Sequence, residues 1–207
     1  MSGSLDYSSI KPKTPIILAS GSASRKIMLQ EAGITFNVVV SNTDEEEIKQ
    51  NIISKPFEDQ VIYLAKAKAE PVSKIHSDSI VIGGDQMCVH NKTVFNKPGS
   101  KEQAIKNLKL LSDQSHFQHS GVCIYKNSQC LWEYSETVEL KMHNLSEKEI
   151  INYVELENPI HAAGAYKFES LGCNLFSYVN GSSYTVRGMP LLPLLNALRD
   201  LKIIRLE

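Results

Sequence analysis

Strand-like and helix-like segments alternate along this chain, and the alternation limits its fold more than any other feature. Ile16-Ile17-Leu18-Ala19 and Ile80-Val81-Ile82 are short apolar runs of the kind found in buried strands. Between them, residues 58–76 carry apolar side chains at helical spacing. Strands that alternate with helices are typical of an α/β fold, in which helices pack on a sheet.

The remaining segments extend this pattern and add a hairpin. Capping residues and apolar spacing predict further helices after Ser22, after Ser100, from the capping box of Ser146 and Glu149, and from Leu191. Strand-like runs are found at 36–40, 116–125, 130–142 and 174–179. The two long runs are joined by a polar turn, and a hairpin pairs its strands antiparallel. We therefore expect an α/β fold with a mixed sheet flanked by helices.

Composition and charge exclude several classes of protein. The chain has 207 residues, enough for one large domain, and its formal net charge is -1. This balance provides no basic surface for a nucleic acid or a membrane. No apolar run approaches the roughly 20 residues that span a bilayer. We expect no nucleic-acid partner and no membrane partner, so a local group of lysines and arginines must hold any anionic ligand.

The N-terminal residues and the cysteines bear on the domain organisation and the cellular location. Residues 1–15 are polar and lack the apolar centre of a signal peptide, which predicts a flexible N-terminal extension before a single domain at 16–207. The four cysteines are scattered without a CxxC pair. Reduced thiols in a reducing compartment fit this spacing better than disulfides or zinc. We expect the protein in the cytoplasm.

The turn after the first apolar run has the features of an anion site. Ser20, Gly21 and Ser22 are small, and Arg25 and Lys26 follow in the first turn of the predicted helix. Two cations at a helix start oppose the helix dipole, but they complement a phosphate chain bound there. The alternative is an ordinary capped helix with both cations in solvent, and this stretch alone favours neither reading.

Acidic residues follow two of the predicted strands. Asp44 and Glu45 come after the strand at 36–40, and Asp85 follows the apolar run at 80–82. Strand ends in α/β sheets commonly face ligands, and hard divalent cations prefer carboxylate oxygens. A solvated acidic loop is the alternative for Asp44 and Glu45. Asp85, at the end of a very apolar strand, is the stronger candidate for chemistry.

Two lysines are further candidates, whereas two histidines are not. Lys68 lies on the predicted helix at 58–76, and Lys97 lies in a loop before the helix at Ser100. Each alone fits a solvated face, and the pair is functional only where both reach the site of Asp85 and Arg25. His116 and His119 are three residues apart on a strand, so they point to opposite faces and cannot share one metal ion.

In order, these segments resemble the Maf-like family of nucleotide pyrophosphatases, from about Ile16 to Leu198. The matching motifs are Leu18-Ala19-Ser20-Gly21-Ser22-Ala23-Ser24-Arg25, Asp44-Glu45, Leu64-Ala65-Lys66-Ala67-Lys68-Ala69, Asp85, Lys97-Pro98, Ser120-Gly121-Val122, Ala163-Gly164-Ala165-Tyr166 and Val186-Arg187-Gly188-Met189-Pro190. So many motifs in the family's order indicate membership.

The resemblance implies a fold, an activity and a set of site residues. The fold would be a strongly twisted, ITPase-like mixed sheet with two lobes around a central cleft, in a homodimer. The activity would be metal-dependent cleavage of a nucleoside triphosphate into a monophosphate and pyrophosphate, with magnesium or manganese, or else cobalt. The residues would be Asp85, Lys68 and Lys97 for catalysis; Ser20, Ser22 and Arg25 for the substrate phosphates; Ser24, Gln86 and Glu169 for base choice; and Glu45 and Asp85 for the metal.

Departures within the motifs point to a substrate. Gln86, His161 and Glu169 differ from the dTTP/UTP pyrophosphatase branch and resemble the 7-methyl-GTP pyrophosphatase branch. A carboxylate can accept two hydrogen bonds from the Watson–Crick edge of guanine. Ser24 stands where that branch has tryptophan, which removes a ring that would stack on a cationic base. The alternatives are a dTTP/UTP pyrophosphatase and a non-catalytic nucleotide-binding regulator of cell division.

Overall fold

The computed structural model describes residues 12–205, in which strands and helices alternate as predicted. The strands are β1 (Ile16–Leu18), β2 (Asn37–Val38), β3 (Ile80–His90), β4 (Thr93–Phe95), β5 (Ser115–Lys126), β6 (Gln129–Met142) and β7 (Phe176–Asn180). The α-helices are α1 (Ala23–Glu31), α2 (Glu45–Ile52), α3 (Phe57–Ile75), α4 (Lys101–Leu111), α5 (Glu147–Glu157), α6 (Ser183–Val186) and α7 (Leu191–Asp200). Residues 1–11 of the predicted extension lie outside the described residues.

The strands form one sheet in the order β2-β1-β3-β5-β6-β7, with β4 paired to β3. β1 runs parallel to both β2 and β3, whereas β3–β4 and β6–β7 are antiparallel pairs. The hairpin between β5 and β6 turns at Asn127 and Ser128, whose φ angles are 47° and 61°. Two residues with positive φ are the geometry that two-residue hairpins favour. The predicted mixed α/β sheet is confirmed.

The chain divides into two compact units that share the long strands. The first unit comprises residues 12–85, 121–135 and 189–205 of the described chain, and the second comprises 86–120 and 136–188. In the described chain, no helix combines the length and the apolar character needed to cross a membrane.

In the first unit, α3 packs unusually close to the sheet because two strand positions are glycine. A Cβ atom on Gly83 would lie 2.2 Å from the carbonyl oxygen of Ala65, and one on Gly121 would lie 2.7 Å from the carbonyl of Val61. Neither distance is compatible with a side chain, so the helix backbone rests directly on β3 and β5. Ala65 and Ala69 add small side chains at the same contact, which is buried in an apolar cluster.

The second unit has its own apolar core, formed by α4, α5 and the outer parts of β3 and β6. α5 begins with the predicted capping box, in which Ser146 and Glu149 each bond the other's backbone N–H. A buried polar cluster lies beside this core. The hydroxyl of Tyr166 accepts from Gln118 Nε2 at 2.6 Å and lies 2.9 Å from His116 Nε2. Burial lowers the pKa of His116 to about 4, which keeps its ring neutral.

The structure differs from the sequence prediction at several places, and β4 is among the elements that were not predicted. The acidic stretch after Asp44 is helical and forms α2, because glutamates in a first turn complement the helix dipole. β3 does not end near residue 82 but continues to His90, so Asp85 lies within a strand. Its glycines are tolerated there because α3 fills the space beside Gly83 and the Arg25 side chain fills the space beside Gly84. The four-residue α6 was not predicted, since a segment that short carries no apolar period.

Substitution Gly83→Ala should destabilise the first unit. The new Cβ would meet Ala65 O and, at 2.8 Å, the Cβ of Ala69, so α3 must move away from β3. Overpacking of this kind costs about 1–3 kcal/mol, measured as the free energy of unfolding in urea. Gly21→Ala is the control, because its Cβ would meet only Val40 at 3.7 Å. Equal stability of the two variants would contradict the close contact.

Candidate active site

The start of α1 orders the first group of predicted residues. Ser22 is the N-cap, and its side chain accepts from the backbone N–H of Arg25 at 3.4 Å. Ser20 Oγ accepts from the guanidinium Nη1 of Arg25 at 3.0 Å and from the backbone N–H of Ser22 at 3.3 Å. Ser20 therefore fixes the arginine as well as the turn. Ser24 lies half-buried in the same helical turn.

Arg25 is an unusually buried cation, with only 7% of its surface exposed. Burial lowers the pKa of its guanidinium, and the negative charges of Asp85 and Glu45 oppose that shift. Gly84 makes room for the side chain: a Cβ there would lie 3.1 Å from Arg25 Nε. Gly84 is not among the predicted site residues. The adjacent glycines Gly83 and Gly84 inside a very apolar strand are the sequence signal for these contacts, because α3 approaches one of them and Arg25 approaches the other.

Lys68 joins the two carboxylates that were predicted to hold a metal. From α3 its Nζ atom lies 2.6 Å from Asp85 Oδ1 and 3.0 Å from Glu45 Oε2. The side chains of Lys68 and Asp85 are 12% and 11% exposed, whereas that of Glu45 is 43% exposed. A short ion pair between nearly buried groups is fixed in position, because breaking it would leave a buried charge without a partner.

Glu45 comes to this pair as the first residue of α2. Asp44 is the N-cap, and its Oδ1 accepts from the backbone N–H groups of Glu46 and Glu47 at 3.1 and 3.2 Å. The cap sets where the helix begins and hence where Glu45 leaves it. The stretch is thus a capped helix rather than a loop, with Glu46 and Glu47 exposed. Six predicted residues, Ser20, Ser22, Arg25, Glu45, Lys68 and Asp85, lie together in the first unit.

The carboxylates of this group fit a hard divalent cation. Within residues 12–205, no group of three or more histidine, cysteine, aspartate or glutamate side chains is arranged to hold a metal ion. Magnesium sites need only one or two carboxylates when substrate phosphates supply further oxygens. Lys68 contacts one oxygen of Glu45 and one of Asp85, and the second oxygen of each remains an acceptor. Two carboxylates without nitrogen or sulfur ligands match magnesium or manganese.

Gln86 is held by backbone atoms of the second unit. Its Nε2 donates to the carbonyl oxygens of Thr185 and Val186 at 3.0 and 2.9 Å. The same Thr185 carbonyl accepts from Ser120 Oγ at 2.9 Å, and the Thr185 hydroxyl donates to Glu136. Both amide hydrogens of Gln86 are thus used, so its carbonyl oxygen is the atom left to bind a ligand.

Lys97 and Glu169 also belong to the second unit, and both are exposed. Lys97 lies in the loop between β4 and α4. Glu169 lies in a turn that Glu157 fixes at both ends. The carboxylate of Glu157 accepts from the backbone N–H of Leu171 at 3.0 Å and lies 3.4 Å from Lys167 Nζ. His116 and His119, which were not expected to share a metal ion, contact Tyr166 and Thr137 respectively.

The fold and the first-unit cluster define an α/β protein with a cationic helix start beside a lysine-bridged pair of carboxylates. A family profile described as Maf-like protein matches residues 15–201. A relative from Legionella pneumophila (strain Paris), named nucleoside triphosphate pyrophosphatase, is 45% identical over 92% of this chain and 95% of its own. One of the same name from Ruegeria pomeroyi is 39% identical over 89% of this chain and 94% of its own.

This chain belongs to the Maf-like family, as its motifs predicted. Among solved structures, a HAM1 protein from Coxiella burnetii aligns with 64% of this chain and 74% of its own, at 18% identity and a TM-score of 0.41. Likeness at that level adds nothing to the family assignment, which rests on the sequence comparisons.

Substitution Ser20→Ala should loosen Arg25. The change removes an acceptor from a buried guanidinium, and loss of a partner for a buried polar group costs about 1–3 kcal/mol. We expect a lower melting temperature and weaker nucleotide binding, measured by thermal denaturation with and without nucleotide. Ser54→Ala, at an exposed position in the turn after α2, is the control. Unchanged stability and binding in Ser20→Ala would show that the serine does not hold the arginine.

Proposed function

We propose that this chain cleaves 7-methyl-GTP, a modified nucleoside triphosphate, into its monophosphate and pyrophosphate with the help of a divalent cation. The coarser part of this statement, a nucleoside triphosphate pyrophosphatase, is the enzyme class predicted from the sequence. That class is confirmed by relatives of this name at 39–45% identity. The base, the metal, the homodimer and the cytoplasmic location stay predictions.

The observation that carries the proposal is the Asp85–Lys68–Glu45 cluster beside the buried Arg25. Two cations and two carboxylates in one place can hold a polyphosphate and activate water at once. The nearly buried Lys68 and Arg25 act in surroundings poor in water, where charges interact more strongly. A protein that only bound nucleotides would not need an acid next to the phosphate-binding cations.

The chemistry assigns one task to each of these residues. Asp85 accepts a hydrogen bond from the attacking water and takes its proton as the oxygen bonds to the α-phosphorus. The bond between that phosphorus and the bridging oxygen breaks, and pyrophosphate leaves with the electron pair. Arg25 and Lys68 stabilise the negative charge that grows on the phosphoryl oxygens. Glu45 and Asp85 would hold the cation, which polarises phosphoryl oxygens when bound. Lys97 is proposed to stabilise the same negative charge.

Base choice is proposed to depend on Glu169 and Gln86, with Ser24 in place of an aromatic side chain. The Glu169 carboxylate would accept from two adjacent N–H groups of guanine, and the Gln86 carbonyl oxygen is an acceptor as well. Both groups therefore favour a base that presents donors. Thymine and uracil present only one donor between two carbonyls, so they fit these residues less well.

Asp85→Asn should lower pyrophosphate release by roughly 10²–10⁴-fold, the usual contribution of a positioned general base. The amide keeps the shape of the side chain but cannot take a proton, so nucleotide binding should persist. Release is measured with magnesium or manganese, and a chelator should abolish it in the wild type. Asp78→Asn, on an exposed turn before β3, is the matched control. A fully active Asp85→Asn would overturn the role of Asp85.

A panel of nucleotides tests the base. We expect 7-methyl-GTP to be preferred over GTP, dTTP, UTP, CTP and ATP. Glu169→Gln should reduce kcat/KM for 7-methyl-GTP by about 10–100-fold, because hydrogen bonds to charged groups contribute about 1.5–3 kcal/mol. Glu155→Gln, an exposed substitution on α5, should not. Preference for dTTP or UTP would contradict the role of Glu169, and no release from any nucleotide would favour the regulator.

A further inference from the structure

A proline inside α3 frees a backbone acceptor one residue from Lys68. Pro71 has no N–H group, so the carbonyl of Ala67, four residues earlier, lacks its helical donor. The proline ring also crowds that carbonyl, and a half-buried backbone acceptor needs another partner. The partner is Thr43, whose hydroxyl donates to Ala67 O at 2.9 Å. The helix is therefore tied, at this point, to the segment before α2.

This bond lies next to the contact that brings Glu45 to the site. Thr43 and Glu45 flank the N-cap Asp44, and they bind the consecutive residues Ala67 and Lys68 of α3. The segment is thus attached to the helix at two points. The cap bonds of Asp44 order α2 internally, but they do not connect it to α3. Thr43 supplies one such connection, beside the Glu45–Lys68 ion pair.

We infer that Thr43 is a positioning residue, which uses the carbonyl released by Pro71 to hold Glu45 beside Lys68 and Asp85. The inference rests on the proposed function, in which Glu45 helps to hold the divalent cation. Glu45 is half-exposed, and an ion pair at such a position orders a side chain only weakly. A neutral hydrogen bond from Thr43 to the backbone of α3 restrains the segment without competing for the cation.

Two substitutions act on this bond with opposite effects on stability: one removes its donor, and the other supplies a helical N–H that competes for its acceptor. Thr43→Val loses the hydroxyl and should lower the melting temperature slightly. Pro71→Ala restores an N–H that bonds Ala67 O within the helix, so it should raise the melting temperature. Both should raise the magnesium concentration for half-maximal activity, on the order of tenfold for the loss of a group that orients a metal ligand. kcat at saturating magnesium should change little.

The controls separate positioning from general destabilisation. Thr43→Ser keeps the hydroxyl and should behave as the wild type. Lys74→Ala is an exposed change in the last turn of α3 and should leave the magnesium requirement unaltered. An increase confined to the destabilised variant, with Pro71→Ala unchanged, would overturn the inference, because stability alone would then account for it.

A second readout does not depend on turnover. Hydrogen–deuterium exchange of residues 41–52 should be faster in both Thr43→Val and Pro71→Ala, and unchanged in Thr43→Ser. Residues 101–111 of α4 serve as the internal reference. Wild-type exchange in both substituted proteins would overturn the inference even in an active enzyme. If the wild type released no pyrophosphate, the proposed function would be rejected instead. The exchange data would still show whether Thr43 holds α2.

Discussion

The contact between the backbone of α3 and the glycines of β3 and β5 sets the geometry on which the candidate site depends. Gly83 and Gly121 allow the helix to lie directly on the strands, which no larger residue would permit. Because a lysine side chain has a limited length, the distance between α3 and the sheet determines whether Lys68 reaches Asp85. β3 supplies Asp85 and α3 supplies Lys68. Because Gly83 and Gly121 have no side chains, the two elements lie close enough for this ion pair.

Two further helices of the first unit, α1 and α2, place charged side chains near the Lys68–Asp85 ion pair. α1 brings the buried Arg25 to Gly84, and Ser20 keeps it there. α2 brings Glu45 to Lys68 and is tied to α3 through Thr43. The contacts of Arg25 and Lys68 surround two cations with fixed protein groups, the arrangement that the proposed stabilisation of phosphate charge requires. The cluster thus combines contacts to α3, made by Glu45, Thr43 and Asp85, with the contact of Arg25 to β3.

Sequence patterns predicted most of this fold but only part of its geometry. Apolar spacing identified α3 and the hairpin, and the capping box of Ser146 located α5. The same patterns ended β3 too early, because periodicity cannot show that a helix backbone replaces the side chain of Gly83. The motifs selected Lys68 and Asp85 individually, whereas their contact depends on packing between distant segments. Thr43 was missed for that reason, although a proline inside a helical pattern signals an unused carbonyl.

Asp85 and Gln86 are neighbours on β3, and successive strand residues point to opposite faces. The acid contacts Lys68 on α3, and the glutamine contacts the carbonyls of Thr185 and Val186 in α6. The two adjacent side chains therefore have separate sets of contacts. A substitution at residue 86 can change what the second unit presents without disturbing the ion pair of the first. Along an evolutionary lineage, the residue proposed to contact the base can therefore change while the residue proposed for hydrolysis beside it stays constant.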